Sequence, residues 1–363
     1  MDQYIHIEQS KGQVSPDPST HRENMKVFLA RYEKIPVQEY PNQVSEHPVV
    51  SVCVQTYRHV NYIKSCLNGI LMQKTSYPFE ILLGEDASDD GTRDICLDYA
   101  RRYPDKIRLF LHHRENNIKI DGRPSDHFNA LYNLYSSRGK YTAKCEGDDY
   151  WTDPFKLQKQ VDFLEEHPEF GMVSTDVFVI DEKGRIREDT PGIVRQRASN
   201  KQEINFYDLL ERNWINTLTV CARSHLMIEM ANRMMQEDLW FAYDHWFWLH
   251  MALKSRIRVF YERTAAYRVH EGGMSRQTGF LRTNRPLVKY DALLKYLNGY
   301  ETVEKGVYNH IIFKTLATLI LNEKLSVRKK SCLLFQLFRR YDLVYLLLVQ
   351  TLRKVLARSR QSR

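Results

Sequence analysis

Residues 49–73, VVSVCVQTYRHVNYIKSCLNGILMQ, decide the fold class, because a nearly unbroken apolar run leads through a short polar segment into an amphipathic stretch. Val49–Val54 lacks the alternation of a half-exposed strand, which predicts a strand buried on both faces. Apolar side chains then recur at helical spacing, at Ile63, Leu67, Ile70 and Leu71. A buried strand that is followed by a helix predicts the first half of a βαβ unit.

The same succession continues towards residue 113. FEILLGED (79–86) predicts a second buried strand, Asp94–Arg102 a helix, and IRLFLHH (107–113) a third strand. This order indicates right-handed βαβ units, and therefore an α/β fold with a mostly parallel, Rossmann-like sheet and helices on both faces. In such a sheet, ligands bind beside the carboxyl ends of the strands.

Polar loops follow three of the predicted strands at that edge. Residues 55–58 come after the first strand, residues 85–91 after the second, and residues 146–149 after a further short strand that begins near residue 140. A calcium-binding EF-hand in the second loop is excluded, because its twelfth position holds Leu97 where a bidentate glutamate is required. The three loops are therefore expected to meet in one crevice.

Asp148 and Asp149 stand side by side in the third loop. Adjacent ionised carboxylates repel each other, so a buried pair needs a cation or hydrogen-bond donors nearby. Oxygen ligands suit Mg²⁺ or Mn²⁺, which predicts a divalent-metal site here. The alternative is a solvated turn whose acids cap the helix that starts near Pro154.

The net charge of +8 originates in the carboxyl-terminal tail. Residues 325–363 hold ten Lys/Arg and one acidic residue, Asp342, so the tail carries +9 and the remaining chain about −1. A near-neutral body argues against a nucleic-acid partner. The longest nearly apolar run of the tail, Leu343–Leu352, is far shorter than the ~20 residues of a transmembrane helix. The tail is therefore expected to lie on an anionic membrane surface, the alternative being a helical packing or dimerisation segment.

The cysteines and the N-terminus predict the cellular compartment. Six cysteines are scattered without a CxxC pair, which indicates reduced thiols and excludes a zinc knuckle or a disulfide framework. Residues 1–24 are polar and lack the basic start and apolar run of a signal peptide. A cytoplasmic protein is expected, held by its tail at the inner face of the cytoplasmic membrane.

The chain resembles family 2 inverting glycosyltransferases, in particular bacterial enzymes that build surface polysaccharides. The resemblance lies in the order and spacing of VVSVCVQTYRHVNYIKSCLNGILMQ, FEILLGEDASDDGT and GKYTAKCEGDDYWTDPFKLQKQVDFLEEHP. It covers Pro48–Ile180 and continues more weakly to Ser275. It implies the GT-A fold and metal-assisted transfer of a hexosyl or N-acetylhexosaminyl group. The implied donor is a UDP-sugar or other nucleotide-sugar, and the implied acceptor is a hydroxyl of a saccharide or lipid-linked saccharide.

The resemblance implies donor-binding roles in the first two loops. Thr56 and Tyr57 are expected to border the uracil, with the Tyr57 ring stacked on it. Glu85 and Asp86 occupy the positions of paired acids, one of which accepts the uracil N3 proton. The chain departs from the family at Glu85, where Asp is usual, and at Arg58, where Asn is common. Which acid reads the base therefore stays open.

Further donor and metal roles are implied around the third loop. Asp148 is expected near the ribose, and Asp149 is expected to bind the Mn²⁺ or Mg²⁺ that bridges the diphosphate. Asn129 matches a position near the ribose or the phosphates, the alternative being a polar residue on a helix face. Trp151 is expected to form a wall of the donor-sugar or acceptor pocket, the alternative being a core residue.

The base is expected in the second half of the resemblance. In FAYDHWFWLHMALKSRIRVFYERTAAYRVHEGGMSR, residues 241–276, an acid stands before a helix and a later strand leads to a YRxH element. An inverting transfer needs one general base, and Asp244 is the expected one, with a helix cap as the alternative. His270 is expected to bind the metal or donate to the diphosphate, the alternative being an interior histidine.

Four segments are expected: an N-terminal arm (1–46), a nucleotide-sugar-binding half (47–180), an acceptor-binding and catalytic-base half (181–275), and a helical basic extension (276–363).

Two other function classes stay open. The first is a nucleotidyltransferase that makes sugar-nucleotides, which usually carries a Gly-rich basic loop after the first strand, where this chain has QTYRHVN. A non-catalytic protein that binds saccharide or membrane is the other class, and homo-oligomerisation is also left open.

Overall fold

The computed structural model describes residues 18–120, 122–188, 201–211, 213–240 and 243–273. The chain divides into one unit of residues 1–276 and a second of residues 277–363. The second unit, which holds almost all of the predicted helical extension and the basic tail, lies outside the described residues. The fold described here is that of the first unit.

Twelve strands and eight α-helices make up the described part of the chain. The strands are β1 (Gln38–Glu39), β2 (Val50–Thr56), β3 (Phe79–Glu85), β4 (Ile107–Leu111), β5 (Lys119–Ile120), β6 (Arg123–Pro124), β7 (Tyr141–Lys144), β8 (Tyr150–Trp151), β9 (Phe170–Asp181), β10 (Glu203–Ile204), β11 (Cys221–Arg223) and β12 (Arg256–Val269). The helices are α1 (Pro18–Tyr32), α2 (Ile63–Leu71), α3 (Thr92–Arg102), α4 (His127–Ser136), α5 (Lys156–Glu166), α6 (Phe206–Glu211), α7 (Ser224–Glu237) and α8 (Tyr243–Lys254).

Ten strands form one sheet in the order β1-β4-β3-β2-β7-β11-β9-β12-β10, with β8 paired to β12. The central strands β4, β3, β2 and β7 are parallel, and so are β9 and β12. Strand β11 runs antiparallel between β7 and β9. The predicted α/β fold with a mostly parallel central sheet is confirmed. Because β3 and β7 lie on opposite sides of β2, the strand order reverses there and opens a crevice at the carboxyl ends of β2 and β7.

Helices cover both faces of the central sheet, which explains the unbroken apolar runs of the sequence. Every residue of β2 and β3 is buried. Val50, Val52 and Val54 of β2 belong to the main core, together with apolar residues of α2, α3 and α5. Cys53 faces the other way, in a smaller cluster that Tyr132 of α4 closes. Strands buried on both faces have no polar side to show.

The N-terminal arm contains a helix and a strand that the sequence pattern did not predict. Phe28 of α1 is fully buried and stacks on Phe128 of α4 at 5.0 Å between ring centroids. The side chain of Asn116 accepts from the amides of Lys34 (2.8 Å) and Ile35 (2.9 Å) and donates to the Ile35 carbonyl (2.7 Å). Strand β1 then pairs with β4 at the sheet edge. The arm is held by long-range contacts, which a local periodicity cannot reveal.

The segment between β9 and β11 contains two short elements. Its sequence is polar, yet β10 and α6 form within residues 201–211. Two residues of β10 pair with Ile257 and Arg258 of β12, which makes β10 a short edge strand. Among the described helices, none combines the length and the apolar character that crossing a membrane requires.

Candidate functional site

The acidic loop, Glu146–Asp149, follows β7 and lies beside the end of β2. The amide of Gly147 donates to the carbonyl of Gln55 at 2.9 Å, which extends the contact between the two strand ends. A Cβ atom at Gly147 would meet Thr56 Oγ1 at 2.6 Å. Only glycine therefore lets the acidic loop approach the loop after β2 this closely.

Asp149 is the buried acid of the acidic loop. Its side chain is buried, and Oδ1 accepts a 2.7 Å hydrogen bond from the main-chain amide of Arg268. Burial raises the pKa of Asp149 well above its usual range, and the nearby charges of Asp148 and Glu146 raise the pKa further. An ionised Asp149 therefore destabilises this loop unless a cation lies close to it.

Asp148 is held by a histidine from the end of β12. Its Oδ2 accepts a 2.9 Å hydrogen bond from His270 Nε2. Burial by itself raises the pKa of Asp148, but the His270 hydrogen bond and the charges of His59 and His270 outweigh burial and leave the pKa below its usual range. The structure thus brings Asp148, Asp149 and His270 together, and it places the His270 ring against Asp148.

Glu146 adds a third carboxyl group to this cluster. Burial raises the pKa of Glu146 to about 8; Lys144 lowers that pKa, whereas Asp244 and Asp148 raise it. Such an accumulation of negative charge fits a divalent cation, which would stabilise the ionised carboxylates. Within the residues that the structure describes, no three His, Cys, Asp or Glu side chains already surround a common point. A cation held here would complete its coordination with oxygens of a bound ligand and water.

Glu85 and Asp86, the paired acids after β3, point to opposite faces because successive strand residues alternate. Glu85 is fully buried. Its Oε1 accepts from the amide of Ser88 at 2.7 Å, and its Oε2 forms an ion pair with Arg93 of α3. Both oxygens of Glu85 have partners within the protein, so this acid stabilises the loop.

Asp86 faces the loop that follows β4. Its Oδ2 accepts from Asn117 Nδ2 (2.8 Å) and Arg114 Nη1 (2.7 Å), whereas its Oδ1 is buried and has no hydrogen-bond partner among the described residues. Burial raises the pKa of Asp86 to about 6, although Asn117 and Arg114 lower it. A buried acceptor without a partner is costly in a protein, and a ligand N–H would satisfy it. Of the two acids, Asp86 is the one with a free acceptor.

Tyr57 lies beside this group. The guanidinium carbon of Arg114 is 3.7 Å from the centroid of the Tyr57 ring. The next residue, Arg58, has a φ of 54°, in the left-handed region that Asn tolerates better than Arg. A two-fold ion pair with Asp89 holds Arg58 there, with Nε–Oδ1 at 2.7 Å and Nη2–Oδ2 at 2.5 Å. This exposed pair joins the loops after β2 and β3. It holds Arg58 in the left-handed conformation, at the position where the resemblance implies asparagine.

Thr56, Asn129 and Trp151 are all buried in the structure. Thr56 Oγ1 lies 3.2 Å from His59 Nδ1 at the crevice. Asn129 donates to the Gly84 carbonyl at 2.8 Å, so its described contact ties α4 to β3. Trp151 belongs to the main core, and its indole N–H donates to the Leu218 carbonyl at 2.9 Å. These contacts are those of packing residues, and the donor-binding roles of Asn129 and Trp151 stay predictions.

Asp244 stands in the first turn of α8 and is half-buried. Helix α8 buries the side chains of Trp246, Leu249 and Leu253. The charge of Asp244 raises the pKa of Glu146, so the two carboxyl groups interact through space. The role of Asp244 as a base stays a prediction.

Four residues of the site were not singled out as functional from the sequence: Arg93, Arg114, Asn117 and Arg268. Arg114 and Asn117 follow β4, so a fourth loop at the same sheet edge was the available signal. Arg268 stands inside the YRxH element, whose histidine was singled out. Arg114, Asn117 and Arg268 bind residues that are distant in the sequence. Arg93 is the exception, since it lies one loop away from its partner Glu85.

A family model described as glycosyl transferase family 2 matches residues 51–232, half of the chain. The chain belongs to glycosyl transferase family 2. The match includes the loops after β2, β3, β4 and β7, which form the crevice. It ends before Asp244 and His270, so membership of the family does not by itself test the roles of these two residues.

Relatives of this family 2 chain include proteins of several bacteria. It is 34% identical over 226 residues to an uncharacterised protein of Mycobacterium tuberculosis, Rv1520, and the matched part is 62% of this chain and 60% of Rv1520. It is 34% identical over 120 residues to the putative teichuronic acid biosynthesis glycosyltransferase TuaG of Bacillus subtilis, 33% of this chain and 43% of TuaG. The chain thus matches less than two thirds of the length of each of these relatives.

A solved structure has the same fold. Residues 1–349 of S. aureus TarS in complex with UDP align with a TM-score of 0.52 and 16% identity, over 77% of this chain and 76% of the TarS chain. At this identity the likeness shows the fold alone. The GT-A fold implied by the sequence resemblance is thereby confirmed.

Proposed function

We propose that this chain is an inverting glycosyltransferase of bacterial surface-polysaccharide biosynthesis, which moves a sugar from a UDP-sugar to a hydroxyl of a saccharide or lipid-linked saccharide. The observation that carries the proposal is the convergence, at the switch point of the sheet, of an Asp86 oxygen that has no partner among the described residues with an acidic loop whose buried carboxyl groups favour a bound cation. Family membership, the fold shared with UDP-bound TarS and the putative teichuronic acid role of the relative TuaG support it.

The uracil is assigned to the Asp86 side of the crevice. Asp86 Oδ1 accepts the N3 proton of the base, and the Arg114 guanidinium, which already donates to Oδ2, has further N–H groups for a base carbonyl oxygen. Tyr57 offers its ring for stacking once Arg114 shifts from the ring face. Uracil fits an acceptor beside a guanidinium, because its N3–H lies between two carbonyl groups.

The diphosphate is assigned to the acidic loop. Asp149 and His270 would hold Mn²⁺ or Mg²⁺, with Asp148 beside them. When bound, such a cation neutralises the charge that develops on the departing diphosphate. Asp148 lies one residue from Asp149 at the mouth of the crevice, where it accepts from a ribose hydroxyl in our proposal.

Asp244 is assigned the role of general base. In an inverting displacement the acceptor hydroxyl loses its proton as its oxygen attacks the anomeric carbon opposite the leaving phosphate. Burial raises the pKa of Glu146 to about 8, and Glu146 belongs to the acidic loop that is assigned to the diphosphate. Asp244 faces the same region from α8, and it takes the proton. No covalent enzyme intermediate is required.

An assay of UDP release tests the reaction class. The full chain is incubated with a panel of UDP-sugars and candidate saccharide acceptors, with Mn²⁺ and with EDTA. We expect UDP release with Mn²⁺ and its loss with EDTA. Release of pyrophosphate from UTP and a sugar 1-phosphate would instead indicate a nucleotidyltransferase. Saccharide binding without release of either product would indicate a non-catalytic protein.

The pKa of Asp86 predicts a pH dependence of nucleotide binding. A pKa of about 6 makes Asp86 mostly protonated at about pH 5 and ionised at about pH 7, and a charged acceptor forms the stronger hydrogen bond. UDP affinity should therefore rise between these two values. In Asp86→Asn we expect affinity about tenfold lower at about pH 7 and nearly independent of pH. Calorimetric titration measures both effects.

The same shift has a consequence for stability. The pKa of Asp86 is higher in the folded protein than in the unfolded chain, so folding takes up a proton and stability falls as pH rises from about 4 to about 6. In the Asp86→Asn variant the free energy of unfolding, measured with urea, should fall less over this pH range. Glu85→Gln is the matched control, because both Glu85 oxygens have protein partners. It should lower stability but keep the rise of UDP affinity between about pH 5 and about pH 7. A UDP affinity as independent of pH as that of Asp86→Asn would contradict the assignment.

The basic tail is assigned to an anionic membrane, as expected of a protein that acts on a lipid-linked acceptor. Its Lys/Arg residues each add about 1 kcal/mol near an anionic surface. The full chain should co-sediment with vesicles that contain phosphatidylglycerol, and a chain that ends at residue 324 should not. Raised salt should weaken the binding of the full chain. Equal binding by the truncated chain would refute the anchor and leave packing or dimerisation as the role of the tail.

A further inference from the structure

Arg268, at the carboxyl end of β12, makes more contacts with the crevice than any role so far explains. Its Nε donates to the Asp148 carbonyl at 2.8 Å, and its Nη1 donates to the carbonyls of Asp181 (3.3 Å) and Glu182 (3.1 Å). Its own amide donates to Asp149 Oδ1 at 2.7 Å. One residue therefore binds Asp148 and Asp149 of the acidic loop and also the end of β9.

The environment of the Arg268 side chain is nearly closed. Only 7% of the residue is exposed. The guanidinium carbon lies 4.6 Å from the centroid of the Tyr62 ring and 5.8 Å from that of Tyr150, so the cation is held beside two aromatic rings. The bonds that the guanidinium donates go to main-chain carbonyls, not to carboxylates. A buried arginine used in this way sets main-chain geometry, because its planar fork fixes the direction of each bond.

The hydrogen bonds of Arg268 and His270 hold the acidic loop against the end of β12. β12 delivers Arg268 to the main chain of Asp148, and two residues later it delivers His270 to the side chain of the same acid. The acidic loop connects β7, which is not a neighbour of β12 in the sheet, to β8, which pairs with β12 at Ala265 and Ala266. The Arg268 side chain adds a bond to the main chain of the loop itself, beyond the Asp149–amide and Asp148–His270 bonds.

We propose that Arg268 is a positioning residue that locks the acidic loop and the end of β9 onto β12, so that Asp148, Asp149 and His270 face the donor diphosphate together. The inference rests on the proposed donor site, because positioning these groups matters only if they bind the diphosphate. A lysine cannot replace the arginine. Its single ammonium group lacks the planar fork that reaches the Asp148 carbonyl and the Asp181–Glu182 carbonyls at once.

The test compares Arg268→Lys and Arg268→Gln with Arg256→Gln. Arg256 stands on the same strand, is partly exposed and pairs with Glu203 and Glu169, so it controls for loss of a β12 arginine. UDP binding is titrated with and without Mn²⁺, thermal unfolding is recorded, and hydrogen exchange is measured on the amides of residues 146–149 without ligand. We expect both Arg268 variants to bind UDP at least about tenfold more weakly with Mn²⁺ and to exchange these amides faster. Arg256→Gln should match the natural protein in both.

Arg268→Lys keeps the positive charge, so it would behave like the natural protein if Arg268 acted only through its charge. The proposal is overturned if Arg268→Lys has the UDP affinity and the amide exchange of the natural protein. Should the Arg268 variants not fold, Tyr62→Leu is the second variant, because it removes the ring beside the guanidinium and leaves the carbonyls. Faster exchange in Tyr62→Leu would support the positioning role, and unchanged exchange would refute it. If the natural protein binds no UDP at all, the proposed function fails, while hydrogen exchange still decides whether Arg268 orders the loop.

Discussion

Replacement of Asp149 by asparagine should abolish Mn²⁺-dependent UDP binding and lower turnover by about 10³-fold, which is about 4 kcal/mol of transition-state stabilisation. Asparagine keeps an oxygen for the Arg268 amide, so the 2.7 Å hydrogen bond can persist. It removes the negative charge that the proposed site needs to hold a cation. Calorimetric titration of UDP with Mn²⁺, together with steady-state rates, measures both losses.

The same variant should be more stable than the natural protein when no cation is present. The pKa of Asp149 is raised well above its usual range, so the unfolded chain is ionised at neutral pH more readily than the folded protein. Stability is therefore lost as pH rises from the unfolded pKa towards the folded one, and asparagine removes that loss. Mn²⁺ with UDP should stabilise the natural protein and leave Asp149→Asn unchanged, as thermal unfolding would show.

Asp98→Asn is the matched control for this experiment. Asp98 is an exposed acid of α3 that pairs with Arg102, and it lies outside the crevice. We expect its loss to change stability by about 0.5 kcal/mol at most and UDP binding not at all. If Asp149→Asn retained Mn²⁺-dependent UDP binding at the natural affinity, the acidic loop would not be the site of the diphosphate.

Replacement of Asp244 by asparagine should leave UDP binding intact and reduce kcat by about 10²–10⁴-fold, the usual contribution of a positioned general base. The substitution keeps the shape of the side chain and removes its ability to take a proton from the acceptor hydroxyl. The pKa of Glu146 should fall in this variant, because the charge of Asp244 contributes to raising it. Single-turnover transfer measures the chemical step, and UDP titration measures the binding.

Asp94→Asn controls for the helix-capping alternative. Asp94 is an exposed acid in the first turn of α3, as Asp244 is an acid in the first turn of α8. Loss of such an acid costs about 0.3–1 kcal/mol of helix stability, so Asp94→Asn should be slightly less stable and fully active. Normal turnover in purified Asp244→Asn would show that Asp244 acts only on the helix. Loss of turnover in Glu146→Gln alone would move the base to the acidic loop.

The local pattern of the sequence predicted the central strands, the helices between them and the edge at which the polar loops meet. It succeeded because a strand buried on both faces and a helix with one apolar stripe each leave a pattern within a few neighbouring residues. It missed α1 and β1, because Phe28 is buried by Phe128 and the chain at residues 34–35 is held by Asn116. These contacts join parts of the chain about a hundred residues apart, and no local period records them.

The sequence also predicted which residues of the site lie close together, but not all of their partners. Asp148, Asp149 and His270 were expected near one another, and the structure joins Asp148 to His270 at 2.9 Å. The choice between Glu85 and Asp86 was left open, since two adjacent acids look alike in a sequence. Their partners in the structure differ, with Arg93 beside Glu85 and the Arg114–Asn117 loop beside Asp86, and this difference supports our proposal that Asp86 reads the base.

The sequence by itself therefore determined the fold class, the position of the crevice and the presence of paired acids at its edge. Each of these follows from side-chain types at short spacing. Only the tertiary structure decided which acid keeps a free oxygen, that Trp151 lies in the core, and that Arg268 binds the acidic loop. The physical reason is that burial, hydrogen-bond partners and pKa depend on the groups that folding brings close, and those groups come from distant strands.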